Sequence, residues 1–156
     1  MIKVFVTPSC SSSIKAKKWF KLHHIPFQEV NLLTRQLSIS EIKEILQYTE
    51  NGFEDIISKK SDYFRNNPLD FETISFNDLS EIIINNPRIL KRPLILGPNS
   101  LQIGFNDEDI REFIPKELRE RIICEDCDVF NNHCDYLNLL KNYFDEIKEE
   151  LKKEQA

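Results

Sequence analysis

The stretch Val4-Phe5-Val6-Thr7-Pro8-Ser9-Cys10-Ser11-Ser12-Ser13 decides how this chain is read. An apolar run stops at Thr7-Pro8, a thiol follows, and from Ser11 onward the pattern turns amphipathic. The reading is strand, turn, helix, with Cys10 at the helix N-terminus. There the partial positive charge of the helix dipole favours thiolate over thiol. A dithiol redox site would carry its second cysteine at the position of Ser13, so no disulfide can close within this segment.

Working outward, residues 2–6 read as a short buried strand. Residues 11–24 read as a helix with Ile14, Trp19, Phe20 and Leu22 among its apolar positions and Lys15, Lys17, Lys18 and Lys21 on a solvated face. His23 and His24 suit a helix C-terminus, where the dipole favours cations. Pro26 breaks the pattern and residues 27–31 form a second strand, completing a parallel β-α-β unit. Ser38-Ile39-Ser40-Glu41 fits a capping box. Ile42, Ile45, Leu46 and Thr49 then recur at helical spacing, and Asn51-Gly52 is expected to stop that helix in a left-handed cap. Residues 53–66 give one or two short helices and residues 77–85 another. Arg92-Pro93-Leu94-Ile95-Leu96 reads as a strand entered through proline. Gly97-Pro98-Asn99-Ser100 is a turn, and Leu101-Gln102-Ile103 is the hairpin partner. Asn106-Asp107-Glu108-Asp109 opens a helix running to about Ile114, ended by Pro115.

This order predicts an α/β fold of thioredoxin-like type. It has a mixed four-stranded sheet, a helical insertion at about residues 36–90, and a C-terminal helical extension. Pro93 is expected to be cis and to face the thiol. Residues 1–119 are read as the domain and residues 120–156 as an acidic, cysteine-containing helical tail. In the tail Leu137, Leu140, Phe144, Ile147 and Leu151 trace an apolar stripe that needs something to pack on.

An apolar fraction of 40% with eleven Phe supplies a real core for 156 residues. Lys3 is followed by only three apolar residues before Thr7, which is no signal peptide, and no run approaches membrane-spanning length. A cytoplasmic chain without a membrane partner is expected, and the four cysteines are then not structural disulfides. The net charge of −5 is unevenly placed: residues 1–119 hold 16 basic and 16 acidic side chains, and residues 120–156 hold 5 and 10. Neither part is polybasic, which argues against DNA binding without a partner.

Several blocks carry a resemblance: Thr7-Pro8-Ser9-Cys10, Ile25-Pro26-Phe27, Leu37-Ser38-Ile39-Ser40-Glu41-Ile42-Lys43, Thr49-Glu50-Asn51-Gly52, Ile56-Ile57-Ser58, Leu90-Lys91-Arg92-Pro93, and Leu101-Gln102-Ile103-Gly104-Phe105-Asn106. Over roughly residues 1–119 the chain resembles the Spx family, transcriptional regulators of the arsenate-reductase-related, thioredoxin-like superfamily. The resemblance implies a non-enzymatic protein without cofactor that binds the C-terminal domain of the RNA polymerase α subunit. It would redirect transcription in thiol-oxidative stress and meet promoter DNA only together with the polymerase. It also implies control of the protein's level by the ClpXP protease and an adaptor, read from the C-terminus. By the same resemblance the glycine matching Gly52, flanked by Glu50 and Asn51, lies in the polymerase-binding surface. The arginine matching Arg92 lies near a redox thiol, here Cys10 with Ser13 in place of the resolving cysteine.

Gly52 has a plainer reading as a helix-capping glycine, and Arg92 as a surface residue. The alternative function is a monothiol reductase of arsenate-reductase or glutaredoxin type. For it, Lys60 occupies one of the arginine positions expected around an oxyanion. Phe105-Asn106-Asp107-Glu108 stands near the other, where Asp107 and Glu108 would repel the anion.

The tail holds Cys124-x-x-Cys127 and His133-Cys134, ligand types suited to tetrahedral zinc. The adjacency of His133 and Cys134 is poor ligand spacing, and no metal ligands are assigned. Cys134 could instead pair with Cys124 or Cys127 as a tail thiol switch, or all three could be unlinked thiols.

Overall fold

The computed structural model describes residues 1–119 and 135–154. Strand β1 (Ile2–Val6) is followed by helix α1 (Ser11–Leu22) and strand β2 (Phe27–Asn31). The insertion carries α2 (Ile39–Leu46), α3 (Phe53–Ile56), α4 (Asp62–Asn66), α5 (Phe76–Asn85) and a 3₁₀ turn at Pro87–Ile89. Strands β3 (Leu94–Leu96) and β4 (Leu101–Ile103), a 3₁₀ turn at Asp109–Phe113, and helices α6 (Lys116–Arg119) and α7 (Asp135–Glu154) complete the order. The sheet runs β2-β1-β3-β4. β1 pairs parallel with β2, as a crossover helix requires, and antiparallel with β3; β3 pairs antiparallel with β4.

Side chains alternate across the sheet, and two cores result. Ile2, Val4, Val6 and Ile95 face α1, where they pack with Ala16, Phe20, Ile110, Phe113 and Leu118. Leu137 and Leu140 of α7 join this core and Phe144 packs at its edge, so the first part of the expected stripe covers the α1 side, while Ile147 is not part of this core and Leu151 is exposed. Phe5, Leu94 and Leu96 face the insertion and meet Ile42, Ile45, Ile56, Leu79 and Ile83. Gly97 turns the β3–β4 hairpin close to the α1-side core: a Cβ there would lie 2.7 Å from Phe113 Cε1.

Three expectations are corrected. Helix α1 stops at Leu22, two residues early, because His24 takes φ 54° and so ends the helix as a left-handed residue. Helix α2 stops at Leu46, so Gly52 does not cap it. Its last carbonyls are taken by tight turns, with Thr49 Oγ1 donating to Leu46 O at 2.7 Å. The segment expected to be a helix from Asn106 to about Ile114 forms only a 3₁₀ turn at Asp109–Phe113: Asn106 Oδ1 accepts the N–H groups of Glu108 and Asp109 as a helix cap would, but the bonds that follow, Arg111 N–H to Glu108 O and Ile114 N–H to Arg111 O, close over three residues, and Pro115 allows no further turn.

The capping box forms as read, and its glutamate does more than cap. Glu41 Oε2 accepts the Ser38 N–H at 3.0 Å while Ser38 Oγ accepts the Glu41 N–H at 3.1 Å. The same carboxylate, only 7% exposed, takes a two-pronged contact from Arg35 and lies 3.9 Å from Lys3 of β1. Burial opposes ionisation, but Arg35, the Ser38 N–H and Lys3 outweigh it and hold the carboxyl below its usual pKa. A depressed folded pKa stabilises the fold above the unfolded-state value, and that contribution is lost as pH falls through the folded value. Glu41→Gln is expected to cost about 1 kcal/mol at neutral pH, with the difference from the unsubstituted protein closing in acid. Urea unfolding at neutral and acidic pH checks it.

Candidate functional site

Cys10 is the N-cap of α1, with φ −87° and ψ 115°. Its N–H donates to Thr7 O at 3.2 Å, and its own carbonyl accepts the first helical bond from Ile14 at 3.1 Å. No side chain caps the helix in the usual way. The sulfur therefore occupies the place where a capping oxygen would sit, before the free N–H groups of Ser12 and Ser13. The thiol is half-buried and in no disulfide.

Burial of the sulfur disfavours the thiolate. The hydroxyl and N–H of Ser13, the N–H of Ser12 and the charge of Arg92 outweigh that penalty, and the pKa lies below the ordinary thiol value. Ser13 is 0% exposed, and its Oγ makes no regular hydrogen bond. The proton of this hydroxyl finds its acceptor when the sulfur carries charge. A buried hydroxyl without a full partner is a cost to folding, so its removal should be neutral or slightly favourable for stability. Ser13→Ala is expected to raise the midpoint of the pH dependence of Cys10 alkylation without lowering the unfolding midpoint. Arg92→Gln should raise it by less, because its charge is the smallest of these influences. Peptide mass mapping after iodoacetamide treatment across pH reads both, and an unmoved midpoint in Ser13→Ala would exclude the hydroxyl as a partner of the thiolate.

Arg92 reaches the thiol by a long route through the chain. An isolated bridge between Ile57 and Leu90 closes the insertion, with Ser58 N–H on Ile89 O and Lys91 N–H on Ile56 O, both at 2.8 Å. The next residue, Arg92, precedes a cis peptide bond to the buried Pro93, as the topology led us to expect. Its Nη1 donates to Oγ1 of the buried Thr7 at 2.9 Å. Cys10, Ser13 and Arg92 are thus brought together, with Thr7 as an anchor that the sequence reading missed. A cavity of about 590 Å³ lies alongside, and Thr7, Ser9, Lys60, Arg88 and Arg92 contribute to its wall.

Glu50, Asn51 and Gly52 form a second cluster. The N–H groups of Glu50 and Asn51 both donate to Asp55 Oδ2 at 2.9 Å, and Asn51 Nδ2 donates to Asp55 Oδ1 at 3.1 Å. The bonds from Asn51, above all, hold the Asp55 carboxyl below its usual pKa. Gly52 then starts α3 at φ 63° and ψ −131°, a conformation open only to glycine. A Cβ at Gly52 would meet nothing within 4 Å, so backbone conformation and not packing requires glycine here. Asp55 was also missed; the signal available was a carboxylate four residues after Asn51.

Among the described residues, no group of His, Cys, Asp and Glu is arranged to hold a metal ion, and no helix is long and apolar enough to cross a membrane. His23 is buried, with Nδ1 2.8 Å from Trp19 O and its ring stacked on Trp19, which is a structural placement. Cys124, Cys127, His133 and Cys134 lie outside the described residues.

Residues 5–113 match the ArsC family. The chain is 44% identical over 119 residues to the global transcriptional regulator Spx of Lactiplantibacillus plantarum, covering 76% of this chain and 90% of that protein. It is 43% identical over 121 residues to the Spx of Streptococcus pyogenes serotype M1, covering 78% and 90%. Among solved structures, an arsenate reductase from Vibrio cholerae superposes with a TM-score of 0.63 at 19% identity, covering 72% of this chain and 97% of that one. An arsenate reductase related protein from Brucella melitensis gives 0.53 at 19%, covering 71% and 92%. These structures share the fold alone. The match across the thiol segment, the insertion and the hairpin means that the chain belongs to the ArsC family and, at more than two-fifths identity over nine-tenths of its relatives' length, to the Spx regulators within it.

Proposed function

We propose that this chain regulates transcription by docking on the C-terminal domain of the RNA polymerase α subunit through the corner formed by Glu50, Asn51 and Gly52, while the Cys10 thiol modulates the regulator and does not catalyse turnover. The family supports a regulator. The observation that carries the docking reading is the corner itself, since three bonds to Asp55 fix an exposed turn whose glycine leaves open space above it. A rigid, side-chain-free surface lets a partner backbone approach closely and loses little entropy on binding. The even charge of residues 1–119 fits a protein that meets DNA only beside a partner.

A reductase would use the same thiol and Arg92. The surroundings support it less: Lys60 offers a point charge where a planar clamp would serve an oxyanion better, and Asn106 is committed to holding its own loop. The test is co-elution of the whole chain with the C-terminal domain of the polymerase α subunit, alongside an arsenate turnover assay. Co-elution without turnover is the expected result. Turnover that disappears in Cys10→Ser, with no co-elution, would replace the proposal by the enzyme.

A further inference from the structure

Helix α7 meets the end of α1 along a seam that holds a cavity of about 320 Å³, the lower end of the range for small-molecule sites. Its floor is apolar. The left-handed turn at His24 ends α1 and sets the buried Ile25, the exposed ring of Pro26 and the half-buried ring of Phe27 beside Phe20. Its rim is cationic: Lys21 comes from the last turn of α1, and Lys141 and Lys148 come from α7. The carboxylate at the rim is Asp145. Among the described residues, none of the three ammonium groups lies within ion-pair distance of a carboxylate. The last carbonyls of α1 offer them little, because those of Trp19, Phe20 and Lys21 already accept the N–H groups of His23, Ile25 and His24. The arrangement runs against what docking of α7 alone would select. That helix carries six acidic side chains and four lysines, and a carboxylate near Lys21 would help hold it on the domain. Two lysines and one aspartate line the seam instead. A helix that seats Leu137 and Leu140 in the core thus brings like charge to Lys21, and the chain supplies too little counter-charge.

We propose that the seam between α1 and α7 binds a phosphate monoester of a flat, ring-bearing small molecule, with the ring on Phe27 and Pro26 and the phosphate among Lys21, Lys141 and Lys148. The three lysines and Asp145 leave the rim with a net charge of +2, before any contribution from His24. A phosphate monoester, at about −1.5 to −2 near neutral pH, matches that charge, and a single carboxylate does not. Lysine serves phosphate as a point charge with rotatable donors, so the site needs no planar clamp. The half-buried Phe27 ring offers the flat body a stacking surface. Because the ligand touches both elements, it binds α7 in its docked position and stabilises that position. The match to the ArsC family ends at residue 113, so this site belongs to the extension and not to the shared fold. It also lies on the α1 side of the sheet, whereas the helix that Gly52 starts packs on the other side, so its test is separate from that of the docking surface.

The probe is adenosine 5′-monophosphate, with adenosine and inorganic phosphate as comparisons, and the protein is the whole chain. Equilibrium dialysis should give a dissociation constant between about 10 μM and 1 mM, at least about tenfold tighter than for either comparison. Lys141→Gln with Lys148→Gln, both at exposed positions, should weaken binding about tenfold. Lys152→Gln with Lys153→Gln removes the same charge from the last turn of α7, outside the cavity, and should change binding by less than about twofold. Asp145→Asn should tighten binding by about threefold, which the loss of a merely structural carboxylate would not do. Amide hydrogen exchange across residues 137–148 should slow when the site is filled. No binding at about 5 mM probe, equal binding of inorganic phosphate, equal effects of the two lysine pairs, weaker binding in Asp145→Asn, or unchanged exchange in α7 would each overturn the proposal.

Discussion

If the proposed docking holds, Gly52→Arg is expected to abolish co-elution with the C-terminal domain of the polymerase α subunit, while the substituted protein still folds and loses no more than the backbone strain of about 1–3 kcal/mol. The expected loss in affinity is at least about a hundredfold, or roughly 2.7 kcal/mol. Two effects act, and their sizes separate. The backbone at φ 63° and ψ −131° strains any side chain by about 1–3 kcal/mol, and the turn either bears that cost or shifts. Because nothing lies within 4 Å of a Cβ at Gly52, there is no clash of that atom inside the fold, and the arginine would project into the space the proposed partner would occupy. Gly52→Ala isolates the backbone term and is expected to weaken docking by about tenfold. Calorimetric titration of the isolated polymerase domain into each variant gives the order. Full-strength binding by Gly52→Arg would remove this corner as the docking surface.

Phe20→Ala is expected to destabilise the domain by about 3–5 kcal/mol, the largest effect on folding among the changes considered. Phe20 is 0% exposed, and its ring lies 5.3 Å from those of Trp19 and Phe27 and 5.6 Å from that of Phe113. It is the wedge that fixes α1 on the sheet, and α1 carries Cys10 at its other end. Against a typical total of about 5–15 kcal/mol, this loss takes a large share. Urea unfolding followed by far-ultraviolet circular dichroism should show a much lower midpoint. Ile14→Ala, on the exposed face of the same helix, should stay within about 0.5 kcal/mol of the unsubstituted protein. Equal effects of the two changes would mean that α1 is not held as described.

Where the sequence reading succeeded, the signal was short in range. β1, β2 and β4 were read to the residue, because alternation and the breakers Pro8, Pro26 and Gly97 act within a few positions. The capping box at Ser38 and Glu41 is likewise a three-residue geometry. Where it failed, turn geometry set within four or five residues was not announced by the residue types. His24 took a left-handed position, which a histidine does not announce in sequence. Gly52 kept its positive φ but belongs to the start of α3, because Asp55 organises the turn before it.

From its residues alone, then, this protein's element types, its lone N-terminal thiol without a resolving cysteine, and its kinship were determined, since each follows from backbone periodicity or from contiguous stretches of chain. The tertiary structure decided which distant groups share a site. Arg92 meets Thr7 across 85 positions only because the insertion closes at Ile57 and Leu90, and Lys60 and Arg88 face one cavity only because that same closure folds their segments together. A convergence of that kind depends on how two sheet faces are packed, and packing is a property of surfaces that no local periodicity encodes.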